Sequence, residues 1–384
     1  MKKNLLLSLT LFIFLSCQAL EDSNIENKNL VIINLAASVE NASPTKKFKD
    51  LFNITKTIKL QSDEKSFIAS LTKLILLEDK IIILDKKYTS AKLFDTTGRF
   101  INDIIKMGQG PGEFTKVFDM DYNKIDNSLF IYSNDDMKLS NFRLNGTLVQ
   151  EKKVPFFSHY FTSISQDSLL FFVNYNSSES NKSNNLILTD ADFDIVYRYF
   201  PYKRDFAVSS SGSLIKSNKN IFYNDAFDGN IYQFLNGKLS LKYKIDLGKY
   251  NVPLELTQTF SSISKHLLDY SYFQKVSAKT KDCLMFTFSH DRRSNIGIYY
   301  DNSKEIITNK NFTKNDIYHI ISAPINVGGD ENQFLTYISP QTLGYLKENP
   351  NFFADLESDY PELYIYLKEL KDTDNPIILL FRKK

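Results

Sequence analysis

The sequence predicts an all-β fold, namely a six-bladed β-propeller of four-stranded antiparallel blades. Three observations predict it: a high aromatic content, a repeated pattern of short strands, and a strand-like segment at each end of the chain. Of 384 residues, 31 are Phe and 22 are Tyr, whereas Gly accounts for 13 and Pro for 10. Aromatic residues favour strands, and the scarcity of Gly and Pro argues against a low-complexity chain.

One arrangement of strands and turns returns along the chain. Residues 81–100, IIILDKKYTSAKLFDTTGRF, and residues 129–148, LFIYSNDDMKLSNFRLNGTL, share a strand, a polar turn, a second strand with an aromatic residue and a turn with Gly. Shorter copies begin at residues 185, 230 and 296. A period of about 40–50 residues is typical of propeller blades, whose sheets stack around an axis. The repeats place five residues in equivalent positions, and the distances along the chain from each to the next are 48, 46, 46 and 66 residues. The five residues are Phe94, Phe142, Leu188, Phe234 and Tyr300.

The two ends of the chain predict a sixth blade. Residues 376–382 have the pattern of its third strand, and no fourth strand follows them. Residues 54–62 precede the first complete blade and are available as that fourth strand. This N-terminal strand would close the ring and remove two exposed sheet edges. Helical insertions are expected near 253–268, which accounts for the longest offset, and near 339–371, where apolar residues recur with helical spacing.

The N-terminus has the features of a bacterial lipoprotein signal. Two lysines precede a short apolar run that ends in FLSC at Cys17. We therefore expect a signal peptide over 1–16, lipidation of Cys17, a flexible tether over 17–29 and a single domain over 30–384. The acidic pair in QALED, just after the cysteine, resembles the surface-export signals of Bacteroidetes lipoproteins. This favours an outer-membrane lipoprotein on the periplasmic or cell-surface side; an ordinary signal peptide is the alternative.

Charge and cysteine content narrow the possible partners. Removing residues 1–16 takes away two lysines and leaves 45 basic and 45 acidic residues. Such a balance argues against a nucleic-acid-binding protein. Once Cys17 is lipidated, Cys283 is the remaining cysteine, so no intramolecular disulfide can form. We expect Cys283 to pack as a small apolar side chain, and the protein to be a monomer attached to the membrane by its lipid.

Four segments carry motifs that resemble a known family. They are TKLILLEDKIIILD (72–85), KLFDTTGRFINDIIKMGQGPGEF (92–114), DNSLFIY (126–132) and DNPIILLF (374–381). These segments resemble the six-bladed β-propeller lipoproteins of Bacteroidetes, which are similar in shape to NHL-type and TolB-like propellers. The resemblance implies a fold and an extracytoplasmic location, and it implies no general activity.

The glycine-rich segment GQGPGE, residues 108–113, raises the question of phosphate binding. It matches neither a dinucleotide fingerprint nor a P-loop, because a strand pattern follows it and the Gly-Lys-Ser/Thr element is absent. Pro111 also removes a backbone donor that a phosphate would use. The segment is therefore expected to connect the fourth strand of one blade to the first strand of the next. Ligand contact through Gly110 and Glu113 stays open.

The loops between second and third strands share one face with such connections. That face is the usual binding surface of propellers, as the resemblance implies. Its carboxylates, cations and aromatic rings suit a polar ligand such as a glycan, a peptide or a partner protein, although an ordinary solvated surface is the alternative. The candidate ligand-binding residues are Lys87, Tyr88, Gly110, Glu113, Asp136, Asp225, Asp228, His290, Arg292 and Arg293.

The sequence is compatible with two functions. The preferred one is a lipid-anchored, non-catalytic binding or scaffold protein. The alternative is a carbohydrate-active hydrolase or lyase with its site in the propeller funnel, which the cluster at residues 290–293 suggests. We predict no catalytic residue, metal site or cofactor, because the four histidines are isolated in sequence and no serine nucleophile elbow is present.

Overall fold

The computed structural model describes residues 29–165, 168–175, 184–208, 211–217, 219–326, 332–342, 344 and 348–384. The predicted signal peptide and Cys17 lie outside them. The described residues form an all-β protein with a few short helices. None of the described helices is long and apolar enough to cross a membrane.

Most strands belong to six sheets that follow one another along the chain. Sheet 1 contains β3–β6, sheet 2 β9–β12, sheet 3 β13–β16, sheet 4 β17–β20, sheet 5 β21–β24, and sheet 6 β25, β26, β27 and β2. The strands are β1 (Val31–Asn34), β2 (Phe52–Lys59), β3 (Leu71–Leu76), β4 (Lys80–Asp85), β5 (Ser90–Asp95), β6 (Phe100–Asp103), β7 (Lys106–Met107), β8 (Glu113–Phe114), β9 (Asp119–Asn123), β10 (Ser128–Ser133), β11 (Lys138–Arg143), β12 (Leu148–Lys153), β13 (Tyr160–Ser165), β14 (Ser168–Phe172), β15 (Asn184–Asp190), β16 (Ile195–Pro201), β17 (Ser213–Ser217), β18 (Asn220–Asn224), β19 (Asn230–Leu235), β20 (Lys238–Asp246), β21 (Tyr272–Lys279), β22 (Cys283–His290), β23 (Arg293–Tyr300), β24 (Ile306–Thr308), β25 (Ile325–Asn326), β26 (Gln333–Ile338) and β27 (Ile377–Lys383).

Each of the six sheets contains a four-stranded antiparallel meander. The five positions aligned in the sequence all lie on third strands, namely β5, β11, β15, β19 and β23. This agreement arises because each repeat places one apolar residue of its third strand between adjacent sheets. Sheet 4 differs from the expected four strands, since β1 adds to it in parallel and pairs with β20, for example Ile33 with Ile245.

Sheet 6 combines strands from both ends of the chain. Strand β2 pairs antiparallel with β27, with Ile58 opposite Ile378 and Phe52 opposite Lys383. Strand β27 also pairs with β26 along its length. The strand expected over 54–62 thus lies beside the strand expected over 376–382, with small shifts in their bounds.

Apolar side chains fill the space between neighbouring sheets. Five clusters of buried residues join sheet 1 to 2, 2 to 3, 3 to 4, 4 to 5 and 5 to 6. A further cluster joins sheet 6 to sheet 1 and contains Ile58, Ile378, Ile81 and Phe94. Every one of these sheets therefore buries apolar surface against two others, which a single sheet cannot do alone.

Two helical insertions occur where the sequence predicts them. Between β20 and β21, the helix Phe260–His266 follows a short 3₁₀ turn at Leu254–Thr257 and is capped by Thr259, whose side chain accepts a hydrogen bond from the Ser262 amide. Between β26 and β27, two helices pack Phe352 and Leu363 onto the core of sheets 5 and 6. The α-helices whose bounds lie within the described residues are α1 (Leu35–Glu40), α2 (Phe48–Leu51), α3 (Phe260–His266), α4 (Pro350–Asp359) and α5 (Pro361–Glu369).

The GQGPGE segment connects β6 to β9, the fourth strand of sheet 1 to the first of sheet 2. The continuous strand expected after it is interrupted, because β8 ends at Phe114 and β9 begins at Asp119. Glu113 folds back over the loop and accepts a hydrogen bond of 2.9 Å from the Gly110 amide. A Cβ at Gly108 would lie 2.1 Å from Glu113 Oε2, so the absence of a side chain there permits this contact.

Asn375 joins the two ends of the chain beside sheet 6. Its side chain is buried, accepts from the Ile68 amide at 2.7 Å and donates to the carbonyl oxygens of Gln61 at 2.6 Å and Ser66 at 2.9 Å. We expect Asn375→Ala to lower the free energy of unfolding by about 3 kcal/mol, because two buried backbone groups and one partly buried carbonyl lose their partner. Urea unfolding followed by circular dichroism measures this loss.

The matched control is Asn302→Ala, since Asn302 is exposed and donates one hydrogen bond, to Asp282 at 3.3 Å. Its expected loss is within about 0.5 kcal/mol. Similar losses for the two variants would contradict the role given to Asn375.

Candidate functional site

One cavity of about 740 Å³ is lined by the first strands of all six sheets. We call it the central cavity. It reaches Leu77, Lys124 and Lys219, which lie in the turns between first and second strands, so it opens at that end of the sheets. We call this end the turn face, and the opposite end, where second strands lead into third strands, the loop face. One lining residue from each sheet, in order, is Lys73, Asp121, Ser163, Lys216, Ser277 and Ile325.

Asp121 organises the polar wall of the central cavity. Its Oδ2 accepts hydrogen bonds from the Ser163 amide and the Ser163 hydroxyl, both at 2.8 Å, and from the Thr162 hydroxyl at 3.2 Å. Lys216 Nζ donates to the Ser163 carbonyl oxygen at 2.7 Å. These bonds connect sheets 2, 3 and 4 across the cavity and hold a carboxylate and an ammonium group beside each other.

A second charged pair lies at the loop-face end of the same strands. Lys73 Nζ is 2.8 Å from Asp119 Oδ1, and the other oxygen of Asp119 accepts a hydrogen bond of 2.9 Å from the Phe161 amide. Asp119 is buried, and both of its oxygens have partners. Its charge is therefore stabilised within the protein, in keeping with the rule that buried carboxylates are paired.

The remaining wall of the central cavity is aliphatic. Ile75, Ile215 and Ile325 line its interior, and Ile125 and Leu235 lie at its mouth with exposed fractions of 69% and 36%. Cavities with an apolar lining and a few placed polar groups are typical of small-molecule and peptide sites. This cavity can therefore hold a ligand that combines polar groups with an apolar portion.

A neighbouring cavity of about 970 Å³ extends the turn face towards sheet 6. It shares Leu77, Tyr122 and Lys124 with the central cavity. The shared residues make the two cavities adjoining parts of one surface.

Asp225, a predicted site residue, is held in a buried network on the loop face. Its carboxylate forms an ion pair with Arg204 and accepts hydrogen bonds from the Tyr175 hydroxyl at 2.5 Å and the Ala226 amide at 2.7 Å. The Arg204 guanidinium lies 3.9 Å from the centroid of the Tyr175 ring. Burial, together with the charge of Asp225, raises the pKa of Tyr175 well above its usual range. The oxygens of Asp225 are thus occupied by the protein itself.

Asp228, from the same loop, has an unusual protonation equilibrium. Burial raises the pKa of this carboxyl to about 6, and the negative charge of Asp225 adds to the effect. A hydrogen bond of 3.0 Å from the Asn230 amide opposes it only in part. The carboxyl therefore takes up a proton on mild acidification.

His290 lies beside a third cavity of about 700 Å³, which Arg293 and Lys310 also line. Its Nδ1 is 2.8 Å from the Ser271 hydroxyl, and its Nε2 is 3.4 Å from Asp291 Oδ2. Burial lowers the pKa of His290, and the nearby charge of Lys310 lowers it further. The order hydroxyl, imidazole, carboxylate is that of a catalytic triad, but Ser271 is only 4% exposed. Ser271 is not among the residues that line this cavity.

The other predicted residues lie on loops of separate sheets. Asp136 binds Thr115, accepting from its amide at 3.0 Å and from its hydroxyl at 2.8 Å. Burial alone would raise the pKa of Asp136, but hydrogen bonds from Ser133 and Thr115 bring it below its usual value. Lys87, Tyr88 and Arg292 are exposed on the loop face.

The structure thus divides the predicted residues among sheets 1, 2, 4 and 5 and does not bring them to one point.

The residues of the central cavity were missed because they lie on strands, whereas the candidates came from loops. A signal was present: TKLIL, DMDY and LIKS place charged residues inside first strands that are otherwise apolar. No three described His, Cys, Asp or Glu side chains lie close enough to hold a metal ion.

Comparison with known proteins gives a family and a fold. The sequence model of the family described as Domain of unknown function (DUF4934) matches residues 30–382. None of the curated proteins is similar to the chain in sequence.

Solved structures with a similar fold include two from Bacteroides. A protein of Bacteroides fragilis NCTC 9343 that is described as exported is 17% identical, with a TM-score of 0.75 over 93% of this chain and 100% of that chain. A member of the DUF4221 family from Bacteroides vulgatus ATCC 8482 is 11% identical, with a TM-score of 0.53 over 87% of this chain and 98% of that chain. At a TM-score of 0.44 and 9% identity, the β-propeller domain of Myceliophteria thermophila Cps50 is also similar, over 75% of this chain and 96% of that chain.

The pKa of Asp228 leads to a pH-dependent prediction. Its pKa rises from 3.8 to about 6 on folding, so the folded protein binds this proton more tightly than the unfolded chain does. Asp228 therefore destabilises the protein at pH 7, and the destabilisation disappears as the pH falls through about 6 towards 4. We expect Asp228→Asn to raise the melting temperature at pH 7 and to raise it less at pH 5.

Asp63→Asn is the control for this measurement. Hydrogen bonds, first that from Gln61, lower the pKa of Asp63 from 3.8 to about 2, so both of its pKa values lie below pH 5. The effect of Asp63→Asn on the melting temperature should be the same at pH 5 and pH 7. An equal effect of Asp228→Asn at the two pH values would show that the prediction is wrong.

Proposed function

The chain therefore belongs to the DUF4934 family, and we propose that it is a lipid-anchored, extracytoplasmic β-propeller that binds a polar ligand without transforming it. The ligand class we propose is a glycan or a peptide with an apolar portion. The observation that carries the proposal is the central cavity, which is lined by the charged residues Asp121 and Lys216 together with the apolar Ile75 and Ile215.

We also propose that the six sheets are the blades of a closed six-bladed ring. Three findings support this arrangement: a buried cluster between sheet 6 and sheet 1, the pairing of β2 with β27, and a cavity lined by first strands from every sheet. In a closed ring the first strands surround the axis, so the central cavity becomes the axial channel.

The proposed location rests on the N-terminal sequence and on one relative. The apolar run ending at Cys17 is the feature of a lipoprotein signal. The Bacteroides fragilis protein, which is similar over its whole length, is described as exported and is in keeping with that location. Lipidation at Cys17 would attach the domain to the outer membrane through the tether before residue 30.

We propose that the loop face is a second contact surface. Lys87, Tyr88 and Arg292 are exposed there and are free to meet a glycan or protein partner. The turn face, with its two adjoining cavities, is the better candidate for the specific ligand because it encloses more of a bound molecule.

The ligand-binding prediction uses a variant that fills the central cavity. The full-length protein is screened against soluble oligosaccharides and peptides by thermal shift, and the best oligosaccharide or peptide is titrated calorimetrically. We expect Ile215→Trp to weaken its binding by about tenfold or more, which corresponds to ~1.4 kcal/mol, because the indole occupies part of the cavity.

Leu254→Trp is the matched control, since Leu254 is 60% exposed and does not line the central cavity. It should leave the affinity unchanged. Undiminished binding to Ile215→Trp would place the ligand elsewhere, and turnover of the ligand during titration would favour the hydrolase or lyase alternative.

The anchor is tested by the variant Cys17→Ala. Cells that express the protein are fed radioactive palmitate, and we expect label on the wild type and none on Cys17→Ala, because the thioether attachment point is absent. Cys283→Ala keeps its label, since Cys283 is buried and lies within the folded domain. Palmitate label on Cys17→Ala would contradict the lipoprotein proposal.

A further inference from the structure

Four lysines gather where the first strands of sheets 1, 2 and 5 begin, at the loop face. Lys73 and Lys275 lie on β3 and β21, Lys86 directly follows β4, and Lys116 precedes β9. Only Lys73 lines the central cavity, so the other three form a separate surface at the opposite end of the sheets. We call these four residues the lysine cluster.

Phe118 and Asp119 form the base of the lysine cluster. The ammonium groups of Lys86 and Lys116 lie 5.9 Å and 5.0 Å from the centroid of the Phe118 ring. The next residue, Asp119, holds Lys73 at 2.8 Å. One short segment thus brings three of the four ammonium groups close to one another.

The positive charge of the cluster is largely uncompensated. Asp119 contributes a carboxylate, but its two oxygens are already taken by Lys73 and the Phe161 amide. Lys86 and Lys275 are half-buried, and neither forms a hydrogen bond or ion pair through its side chain with any residue that the structure describes. An unpaired, partly desolvated ammonium group is costly unless an anion neutralises it.

The protonation equilibria agree with this excess of charge. Burial lowers the pKa of Lys86; the charge of Asp119 opposes this, whereas those of Lys73, Lys116 and Lys275 lower the pKa further. Burial also lowers the pKa of Lys275. A bound anion would reverse these shifts, because an opposite charge favours the ammonium form.

We propose that the lysine cluster binds an anionic ester group, that of a phosphate monoester or of a sulfate ester. Lysine ammonium groups act as point charges and match the several oxygens of such an ester, and three ammonium groups lack a carboxylate partner. The Phe118 ring between two of them offers an apolar surface for the group that carries the ester. This site goes beyond the ligand proposed for the central cavity and does not depend on it.

The test uses three related probes on the full-length protein: glucose 6-phosphate, glucose 6-sulfate and neutral glucose. We expect at least one charged probe to bind in a calorimetric titration at low salt, and glucose to show no binding. Its affinity should fall as sodium chloride is added, because salt screens exposed charges. The charged probe that binds more tightly shows whether the natural ester is a phosphate or a sulfate.

Substitutions locate the bound probe. Lys86→Gln and Lys275→Gln should each weaken binding by on the order of tenfold, ~1.4 kcal/mol. Lys265→Gln, on the exposed surface of α3, should leave the affinity for the probe unchanged. Lys86→Arg should retain probe binding because the positive charge remains. Ile215→Trp should have no effect, which separates this site from the central cavity.

A second measurement needs no variant. Acetylation of the wild-type protein with an N-hydroxysuccinimide ester is followed by mass spectrometry, and the bound probe should slow the modification of Lys86 and Lys275 but not of Lys265. The proposal is overturned if neither charged probe binds better than glucose. It is equally overturned if Lys265→Gln weakens binding as much as Lys86→Gln, or if Lys86 and Lys275 are not protected.

Discussion

A four-stranded sheet with two apolar faces needs a neighbour on each side, and this constraint organises the whole protein. Every sheet described here shares a buried cluster with the one before and the one after it. Sheet 6 meets the requirement only because β2 supplies its fourth strand from the other end of the sequence. The same succession of sheets brings first strands together and thereby creates the central cavity.

Polar contacts between first strands complement this apolar packing. Asp119 and Asp121 each accept hydrogen bonds from backbone amides of β13, at 2.9 Å and 2.8 Å. Charged groups near the centre of the fold are thus fixed by neighbouring sheets, so the arrangement of Lys73 and Lys216 depends on how the sheets stand relative to one another. Lys73, Asp121 and Lys216 therefore both connect neighbouring sheets and line the central cavity.

Much of the fold could be predicted because its determinants are local. The spacing of aromatic residues and hairpin turns indicated the meanders, and apolar residues at helical spacing indicated the second insertion. Strand β1 escaped prediction because its four residues form a parallel pair with β20, more than 200 positions away. Such pairing leaves no periodic trace in a short segment.

The candidate site was harder to predict, since its residues meet only through tertiary structure. Loop residues such as Asp225 looked available in sequence, yet that carboxylate is occupied by Arg204 and Tyr175. Lys73 occupies an ordinary strand position in the sequence, and Lys86 and Lys116 occupy loop positions, but contacts with Phe118 and Asp119 bring the three together. Which of these residues meet is decided by contacts between sheets, and the spacing of residues in the sequence does not show those contacts.

The shared sheet at the chain ends has a consequence for how the protein is made. Thr55 donates a hydrogen bond to the carbonyl oxygen of Leu380, 325 positions later. A ribosome must therefore synthesise the chain as far as β27 before sheet 6 can form, and contacts of such long range form slowly. Until then sheets 1 and 5 each lack a partner, which keeps the polypeptide from reaching its final state during synthesis.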